Sequence, residues 1–294
     1  MRIISPAKIN LFLCVTGKRA DGYHELFTLM CCVGLADTIL LDFGTNRISI
    51  YCDHELVPRD GSNLAFRAAA AFFEQTGIKA GVDITIEKNI PVAGGLGGGS
   101  SNAAAVLEAL NRRFNQPLSQ VHLHHIAAGI GADVPYFLYK KPALATGIGD
   151  ILKPYSQLTQ LPVIIINPGF TVSTAEIYKS YSFGLTNGKK TINYSSFTER
   201  TVFNAVIHLV NDLEEVTAGR YPEIHGTKQR LLDLGAIGAL MSGSGPSVFG
   251  LFTDMDAAER AYDKLSGSRN ESVFLTELLT GDDAATELIE FPDL

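Results

Sequence analysis

A dense cluster of glycines is the strongest candidate for chemistry in this sequence. Five of the chain's 28 glycines lie between residues 94 and 99, just after an alternating segment at 82–88 that predicts a strand. The cluster opens directly onto Ser100 and Ser101, which with Asn102 predict the capped start of a helix. Glycine allows a ligand to approach the backbone N–H groups closely, and a helix N-terminus favours an anion. With the serine hydroxyls as further donors, these elements predict a phosphate cradle.

The spacing of the glycines limits which kind of nucleotide the cluster could bind. A flexible linker is the alternative interpretation, but a linker is not framed by a strand and a capped helix. The cluster contains no Gly-Lys-Ser/Thr, so it is not a Walker A loop, and from Gly95 the sixth position of a GxGxxG pattern is Ser100. The cluster therefore favours a mononucleotide over a dinucleotide.

Two charged residues stand in otherwise apolar sequence. Asp133 precedes the apolar segment 134–138, and Lys8 interrupts a segment at 3–14 that reads as a strand. A carboxylate in apolar surroundings needs a partner or a function, and the Lys8 ammonium could supply that partner. An ordinary ion pair, or an exposed lysine at a sheet edge, would explain the same two residues.

Two clusters of ring side chains occur in polar segments. Tyr23 and His24 lie side by side in a predicted turn at 21–25, where they could stack on and hydrogen-bond to a base. A plain hairpin turn is the alternative. The histidines of the second cluster lack metal-ligand spacing, and we interpret them as a polar helix face. They are His122, His124 and His125.

The composition limits the class of protein. The chain has 294 residues, of which 31 are acidic and 24 basic, giving a net charge of −7. No nucleic acid and no membrane partner is expected, since both prefer a basic surface. The four cysteines form no CxxC pair and are interpreted as reduced thiols. No segment fits a signal peptide or a membrane span, so we expect a cytoplasmic protein.

The elements that must position these residues follow from hydrophobic periodicity and caps. Pro6 predicts an edge or a bulge in the first strand, and Asn63 and Gly77 predict the cap and the stop of a helix. The polar segment 180–200 predicts a long loop. The mixture of hairpins and helices predicts an α+β fold. Further strands are predicted at 27–43, 47–52, 161–166, 236–241 and 247–252, and further helices at 118–128, 203–218, 222–234 and 256–265.

Three motifs, taken in order, resemble the GHMP kinase superfamily, which includes galacto-, homoserine, mevalonate and phosphomevalonate kinases. They are Pro6-Ala7-Lys8-Ile9-Asn10-Leu11, the segment from Pro91 to Ala104, and Met241-Ser242-Gly243-Ser244-Gly245-Pro246. Within the superfamily, segments 17–26 and 131–135 resemble the kinases that phosphorylate a cytidyl diphosphate polyol in the non-mevalonate route to isopentenyl diphosphate.

The resemblance implies a two-domain α+β architecture and an ATP-dependent kinase. A nucleotide-binding N-terminal domain is expected at 1–155 and a ferredoxin-like substrate domain at 156–294, whose last strand can pack back on the first domain. The expected partners are ATP and a small-molecule cytidyl diphosphate substrate, with Mg²⁺ accompanying ATP on ligands that the sequence does not identify. Another GHMP small-molecule kinase, or a non-catalytic nucleotide-binding protein, is the alternative.

The resemblance also implies the reacting groups. Asp133 is expected to accept the proton of the substrate's tertiary C2 hydroxyl, and Lys8 to orient Asp133 and stabilise the developing alkoxide. The residues expected to surround the ATP phosphates are Pro91, Val92, Ala93, Gly94, Gly95, Leu96, Gly97, Gly98, Gly99, Ser100 and Ser101.

The implied cytidyl site consists of aromatic and polar residues. Tyr23 is expected to stack on the cytosine, and His24 to hydrogen-bond to it through its ring edge. Tyr178, where the family commonly has phenylalanine, is expected to form the opposite wall. Asn10 and Thr174 are further substrate-binding candidates.

Overall fold

The structure is a computed structural model that describes residues 1–181, 197–267 and 270–281, and the backbone of 288–289. Most of the loop predicted at 180–200 lies outside the described residues. The strands are β1 (Arg2–Lys18), β2 (His24–Asp42), β3 (Ile48–Cys52), β4 (Val82–Glu87), β5 (Ala143–Thr146), β6 (Ile151–Pro154), β7 (Pro162–Asn167), β8 (Val210–Asn211), β9 (Gly238–Met241), β10 (Val248–Leu251), β11 (Ser272–Leu279) and β12 (Leu288–Ile289). The helices are α1 (Leu64–Thr76), α2 (Gly98–Arg113), α3 (Gln120–Ile130), α4 (Val134–Tyr139), α5 (Thr174–Ser180), α6 (Ala205–His208), α7 (Glu214–Arg220), α8 (Glu223–Asp233) and α9 (Met255–Leu265). None of the helices within these ranges combines the length and apolarity that a membrane crossing needs.

Strands β1 and β2 form a long antiparallel hairpin at the centre of the molecule. Most of β1 is buried because both of its faces are covered. Ile3 packs in a core with α1 to α4, whereas Phe12 faces a second core that includes Ile165 and Phe249 of β7 and β10. The bulge predicted at Pro6 is confirmed by a register shift between Pro6 and Ala7.

The second half of the chain forms a four-stranded antiparallel sheet in the order β11-β7-β10-β9. In chain order its elements are β7, α8, β9, β10, α9 and β11, the βαββαβ pattern of the ferredoxin-like fold. Ile166 packs toward α8 and α9, and the neighbouring Ile165 packs toward β1, as alternation along a strand requires. The α+β prediction with a ferredoxin-like second part is confirmed. β11 also pairs with β2 through Leu278 and Val33, so the two sheets are continuous. A domain boundary after residue 155 stays a prediction.

The predicted start and stop of the first helix are confirmed. The Asn63 side chain accepts a hydrogen bond from the Ala65 N–H, and Gly77 ends the helix with a left-handed φ of 68°. The predicted Ser/Asn cap of the next helix is wrong. α2 begins inside the glycine cluster at Gly98, with Gly97 at the N-cap and no side chain capping it.

The helix predicted at 203–218 is also wrong, because tertiary pairing interrupts it. Only 205–208 and 214–220 are helical, as α6 and α7, and between them β8 runs parallel to β1. The side chain of Asn211 in β8 accepts a hydrogen bond from the Leu213 N–H and thereby turns the chain into α7. A long-range strand contact thus overrides the local helical pattern.

A buried ion pair supports the segment that leads into the glycine cluster. Asp37 is fully buried, and its Oδ2 accepts from Lys88 Nζ at 2.7 Å and from Asn102 Nδ2 of α2 at 3.0 Å. Its Oδ1 accepts the backbone N–H groups of Asn89 and Ile90, both at 2.8 Å. The carboxylate therefore connects β2, the entry to the glycine cluster and the first turns of α2.

We expect Asp37→Ala to lower the free energy of unfolding by about 3–5 kcal/mol, because Lys88 would be left as an uncompensated buried charge. Asp42→Ala is the matched control on the same strand, where the side chain is exposed and a change within about 0.5 kcal/mol is expected. Urea unfolding of the two variants measures the difference, and equal losses would contradict a supporting role for the ion pair.

Candidate active site

One cavity of about 1100 Å³ contains most of the predicted site residues. It lies where β1, the start of α2, the start of α4 and the start of α5 meet, and it is large enough for two ligands of nucleotide size. The predicted residues that line it are Lys8, Asn10, Tyr23, His24, Pro91, Val92, Ala93, Gly94, Gly95, Gly97, Gly98, Gly99, Ser100, Asp133, Thr174 and Tyr178.

Leu96 and Ser101 are the predicted residues that the structure does not bring to this cavity. Leu96 is buried, and its carbonyl accepts a hydrogen bond from the Lys8 N–H at 3.0 Å. Ser101 is also buried, and its hydroxyl donates to the carbonyl of Pro6 at 2.7 Å. Both residues connect the glycine cluster to β1, so their contacts support the cavity wall from behind.

At two positions of the cluster, glycine is needed because neighbouring groups leave no room for a Cβ. Gly97 has a φ of 72°, and a Cβ there would come within 2.8 Å of the Phe137 ring. Gly95 has a φ of 76°, and a Cβ there would meet the carbonyl oxygen of Ser242 at 2.2 Å. At both positions the left-handed backbone and the close neighbour exclude a side chain.

Lys8 and Asp133 form an ion pair on the cavity wall. Lys8 Nζ lies 3.5 Å from Asp133 Oδ2 and donates to Asn10 Oδ1 at 2.7 Å. The Lys8 side chain is 6% exposed and that of Asp133 is 33% exposed. The cation is therefore held in place by buried partners, while the carboxylate remains accessible to a ligand.

The side chain of Asn10 holds Lys8 in place, and substrate binding by Asn10, which lines the cavity, stays a prediction. Its Oδ1 accepts from Lys8, and its Nδ2 donates to Thr28 Oγ1 at 2.8 Å on the neighbouring strand. Both functional atoms of the amide are thereby engaged, which fixes the direction of the Lys8 ammonium toward Asp133.

The rings of His24 and Tyr178 contact each other directly, with centroids 5.3 Å apart and planes tilted by 31°. Burial lowers the pKa of His24, and the charge of Lys18 lowers it further, so the neutral imidazole is favoured. Burial, together with the charge of Asp133, raises the pKa of Tyr178, so its hydroxyl stays protonated. Tyr23 is 59% exposed at the cavity edge, accessible for stacking.

The sequence does not predict that the loop between β9 and β10, residues 242–247, forms part of the cavity wall. The motif in this loop is part of the family resemblance, but its packing against the glycine cluster is seen only in the structure. Ser242 Oγ donates to the carbonyl of Gly95 at 3.0 Å, and Gly243 and Ser244 line the cavity. The apolar segment 56–58 also lines the cavity without having been predicted.

The histidine cluster and the four cysteines, which the sequence also singles out, do not line the cavity. His122, His124 and His125 are exposed on α3, as predicted for a polar helix face. All four cysteines are buried and none forms a disulfide. Burial raises the pKa of Cys32 to about 12, so this thiol is not reactive as a thiolate. In the described part of the chain, no three His, Cys, Asp or Glu side chains come together as a metal site.

Comparison with known proteins relates this arrangement to a family. The profile described as GHMP kinases N terminal domain matches residues 63–141, and that described as GHMP kinases C terminal matches residues 202–270. A 4-diphosphocytidyl-2-C-methyl-D-erythritol kinase from Syntrophotalea carbinolica is 48% identical over 93% of this chain and 97% of its own length. The protein of the same name from Syntrophus aciditrophicus is 44% identical over 93% and 98%. A crystal structure of 4-(cytidine 5'-diphospho)-2C-methyl-D-erythritol kinase is similar with a TM-score of 0.79 and 34% identity, over 96% of this chain and all of that one.

We expect Gly97→Ala to destabilise the fold more than Gly77→Ala does. Both glycines have a left-handed φ, but a Cβ at Gly77 meets nothing within 4 Å. Gly77→Ala should therefore cost about 1 kcal/mol of backbone strain, and Gly97→Ala about 1–3 kcal/mol more for the contact with Phe137. Urea unfolding compares the two variants, and an equal cost would mean that Phe137 moves aside freely.

Proposed function

This chain belongs to the 4-diphosphocytidyl-2-C-methyl-D-erythritol kinase family of GHMP kinases, and we propose that it phosphorylates the C2 hydroxyl of 4-diphosphocytidyl-2-C-methyl-D-erythritol. ATP is the co-substrate. The reaction would be a step of the methylerythritol phosphate route to isopentenyl diphosphate, and we place it in the cytoplasm. The observation that carries the proposal is the Lys8–Asp133 pair, 3.5 Å apart, in the same cavity as the glycine cluster, Tyr23 and His24.

The glycine cluster and the start of α2 would bind the ATP phosphates. Phosphoryl transfer depends mainly on positioning and on electrostatic stabilisation of charge. The first N–H groups of α2, which begins at Gly98, have no helical partner, and the dipole of the helix favours negative charge there. Ser100 would add its hydroxyl from the first turn. A net charge of −7 is compatible with this site because backbone N–H groups replace a basic patch.

Asp133 and Lys8 would carry the chemistry. The Asp133 carboxylate would accept the proton of the C2 hydroxyl as that oxygen bonds to the γ-phosphorus of ATP. The bond between the γ-phosphorus and the bridging oxygen then breaks, and ADP leaves with that electron pair. Lys8 would stabilise the negative charge on the acceptor oxygen, and its hydrogen bond to Asn10 keeps the ammonium in place.

Magnesium fits this arrangement as a companion of ATP. Mg²⁺ retains several waters and usually binds through one or two carboxylates together with substrate phosphates, so a protein cage is not needed. The hydroxyl of Ser100, which lies in the first turn of α2 and close to Gly131, is the side-chain oxygen we propose for it. When bound, the ion would neutralise charge on the transferring phosphates.

The cytidyl group would bind at the end of the cavity formed by the turn after β1 and by α5. We propose that Tyr23 stacks on the cytosine and that the neutral His24 hydrogen-bonds to its edge. The contact between His24 and Tyr178 supports a role of Tyr178 in orienting the imidazole in addition to bordering the base. Thr174 shares a hydrogen bond with Ser244 at 2.8 Å, and we propose that its hydroxyl faces the substrate from the start of α5.

We expect Asp133→Asn to reduce kcat by about 10²–10⁴-fold while both substrates still bind, because the amide cannot accept the proton. The assay is coupled ADP release, with substrate binding measured separately by calorimetry. Asp263→Asn, at an exposed position of α9, is the matched control and should retain wild-type turnover.

Near-wild-type turnover of Asp133→Asn would remove Asp133 from the proton transfer. The same assay, run with mevalonate and homoserine in place of the cytidyl substrate, distinguishes the proposed activity from that of other GHMP kinases. ATP binding without ADP release on any acceptor would favour a non-catalytic nucleotide-binding protein.

We expect His24→Ala to weaken the binding of the cytidyl substrate by about 5–150-fold, the range for a lost hydrogen bond to a base edge. The KM for ATP should stay unchanged. The preference for a cytidyl over a uridyl analogue should fall at the same time. Tyr23→Leu should weaken both analogues alike, because stacking tolerates any base. Values of kcat/KM for the two analogues measure this.

His125→Ala, an exposed histidine of α3, is the control and should leave both values unchanged. An unaltered cytidyl/uridyl ratio in His24→Ala would contradict base recognition by this histidine and leave the segment 21–25 as a plain hairpin turn.

A further inference from the structure

The β9–β10 loop, residues 242–247, contacts both binding regions of the cavity. Toward the phosphate side, Ser242 Oγ donates to the Gly95 carbonyl at 3.0 Å and the Ser247 N–H donates to the Gly94 carbonyl at 3.2 Å. Toward the proposed cytidyl side, the hydroxyls of Ser244 and Thr174 are 2.8 Å apart. The position of this one loop therefore sets the position of groups on both sides of the reacting pair.

The loop is held from beneath by a side chain that does not line the cavity. Asn211 of β8 is 6% exposed, and its Nδ2 donates to the carbonyls of Met241 at 2.8 Å and Gly243 at 2.7 Å. Its Oδ1 accepts from the Leu213 N–H at 2.9 Å. All three hydrogen bonds are to backbone groups, so the amide fixes the path of the main chain at the start of the loop.

The chemistry of this contact requires an amide. Two carbonyl oxygens face the same nitrogen, and only a group with two N–H donors and an acceptor in one plane satisfies them together with Leu213. One of these carbonyls belongs to Gly243, whose φ of 57° lies in the left-handed region that favours glycine. A carboxylate at position 211 would have the same shape but would place negative charge against both carbonyls.

Two residues of α7 add to this support. Glu214 Oε2 accepts from the Met241 N–H at 2.8 Å, and Thr217 Oγ1 donates to the Ser244 carbonyl at 3.2 Å. α7 itself follows directly on the Leu213 N–H that Asn211 binds. Asn211 thus connects the loop to α7 and to β1, the strand that carries Lys8.

We propose that Asn211 is a positioning residue for both substrates, acting through the β9–β10 loop on the phosphate-binding cluster and on the start of α5. The acceptor part of this inference rests on the proposed function, whereas the ATP part does not. Asn211 does not itself line the cavity, so its effect passes through its hydrogen bonds to Met241 and Gly243.

The test compares two aspartate substitutions at buried asparagines. Asn211→Asp should raise the KM for ATP and that for the cytidyl substrate by about tenfold each, and raise the Kd for ATP measured by calorimetry to a similar extent. Asn111→Asp is the matched control. Asn111, 5% exposed near the end of α2, makes the same kind of two-sided bonds to the backbone of Leu118 and does not line the cavity. It should lower thermal stability while both KM values stay within about twofold.

Asn211→Ser keeps one donor and should give KM values between those of wild type and Asn211→Asp. This variant decides the question if Asn211→Asp does not fold, with circular dichroism establishing that each variant is folded at the assay temperature. KM and Kd values that stay at wild-type level in the folded Asn211 variants, with only stability reduced as in Asn111→Asp, overturn the proposal. A chain that binds ATP but does not phosphorylate the cytidyl acceptor would contradict the proposed function, and the Kd for ATP would still decide whether Asn211 positions the phosphate side.

Discussion

The buried carboxylate of Asp37 is the constraint on which the arrangement of the glycine cluster depends. A fully buried charge must be compensated, and here compensation comes from Lys88, from two backbone N–H groups and from Asn102. Asp37 lies in β2, and its partners lie in the entry to the glycine cluster and in α2, so satisfying one charge fixes the relative positions of these three parts of the fold. The orientation of the unpaired N–H groups at the start of α2 follows from that arrangement.

The Lys8–Asp133 pair is also charge-compensated, but here one of the two charged side chains stays partly exposed. Lys8 is buried and donates a hydrogen bond to Asn10, while the carboxylate of Asp133 stays a third exposed. One charge is therefore immobilised by the fold and the other is left available to a ligand. The Lys8 N–H also donates to the Leu96 carbonyl, so the strand that supplies the cation supports the glycine cluster through its backbone. One continuous stretch of β1 therefore positions both the Lys8 ammonium and the glycine cluster.

The parts of the fold that could be predicted from sequence are those governed by neighbours along the chain. The cap at Asn63, the stop at Gly77 and the bulge at Pro6 each follow from local backbone chemistry. The helix predicted at 203–218 fails because β8 pairs with β1, nearly 200 residues away, as the separation of 197 between Val15 and Asp212 illustrates. The direct contact between His24 and Tyr178, and the packing of Ser242 on Gly95, were likewise hidden because they join distant segments. Residue types indicate which side chains could react. Only the tertiary structure shows which of these side chains are fixed by buried contacts and which are accessible to a ligand.

The contact between Gly95 and Ser242 has a consequence for biosynthesis on the ribosome. The two residues are 147 positions apart, so the glycine cluster is synthesised long before the β9–β10 loop that packs against it. At typical elongation rates of about 5–20 residues per second, that interval lasts roughly 7–30 s. Throughout it, β10, which later packs against the apolar faces of β1 and β2, has not been synthesised. A nascent chain that exposes apolar strand faces for this long is prone to aggregation until the second half is made.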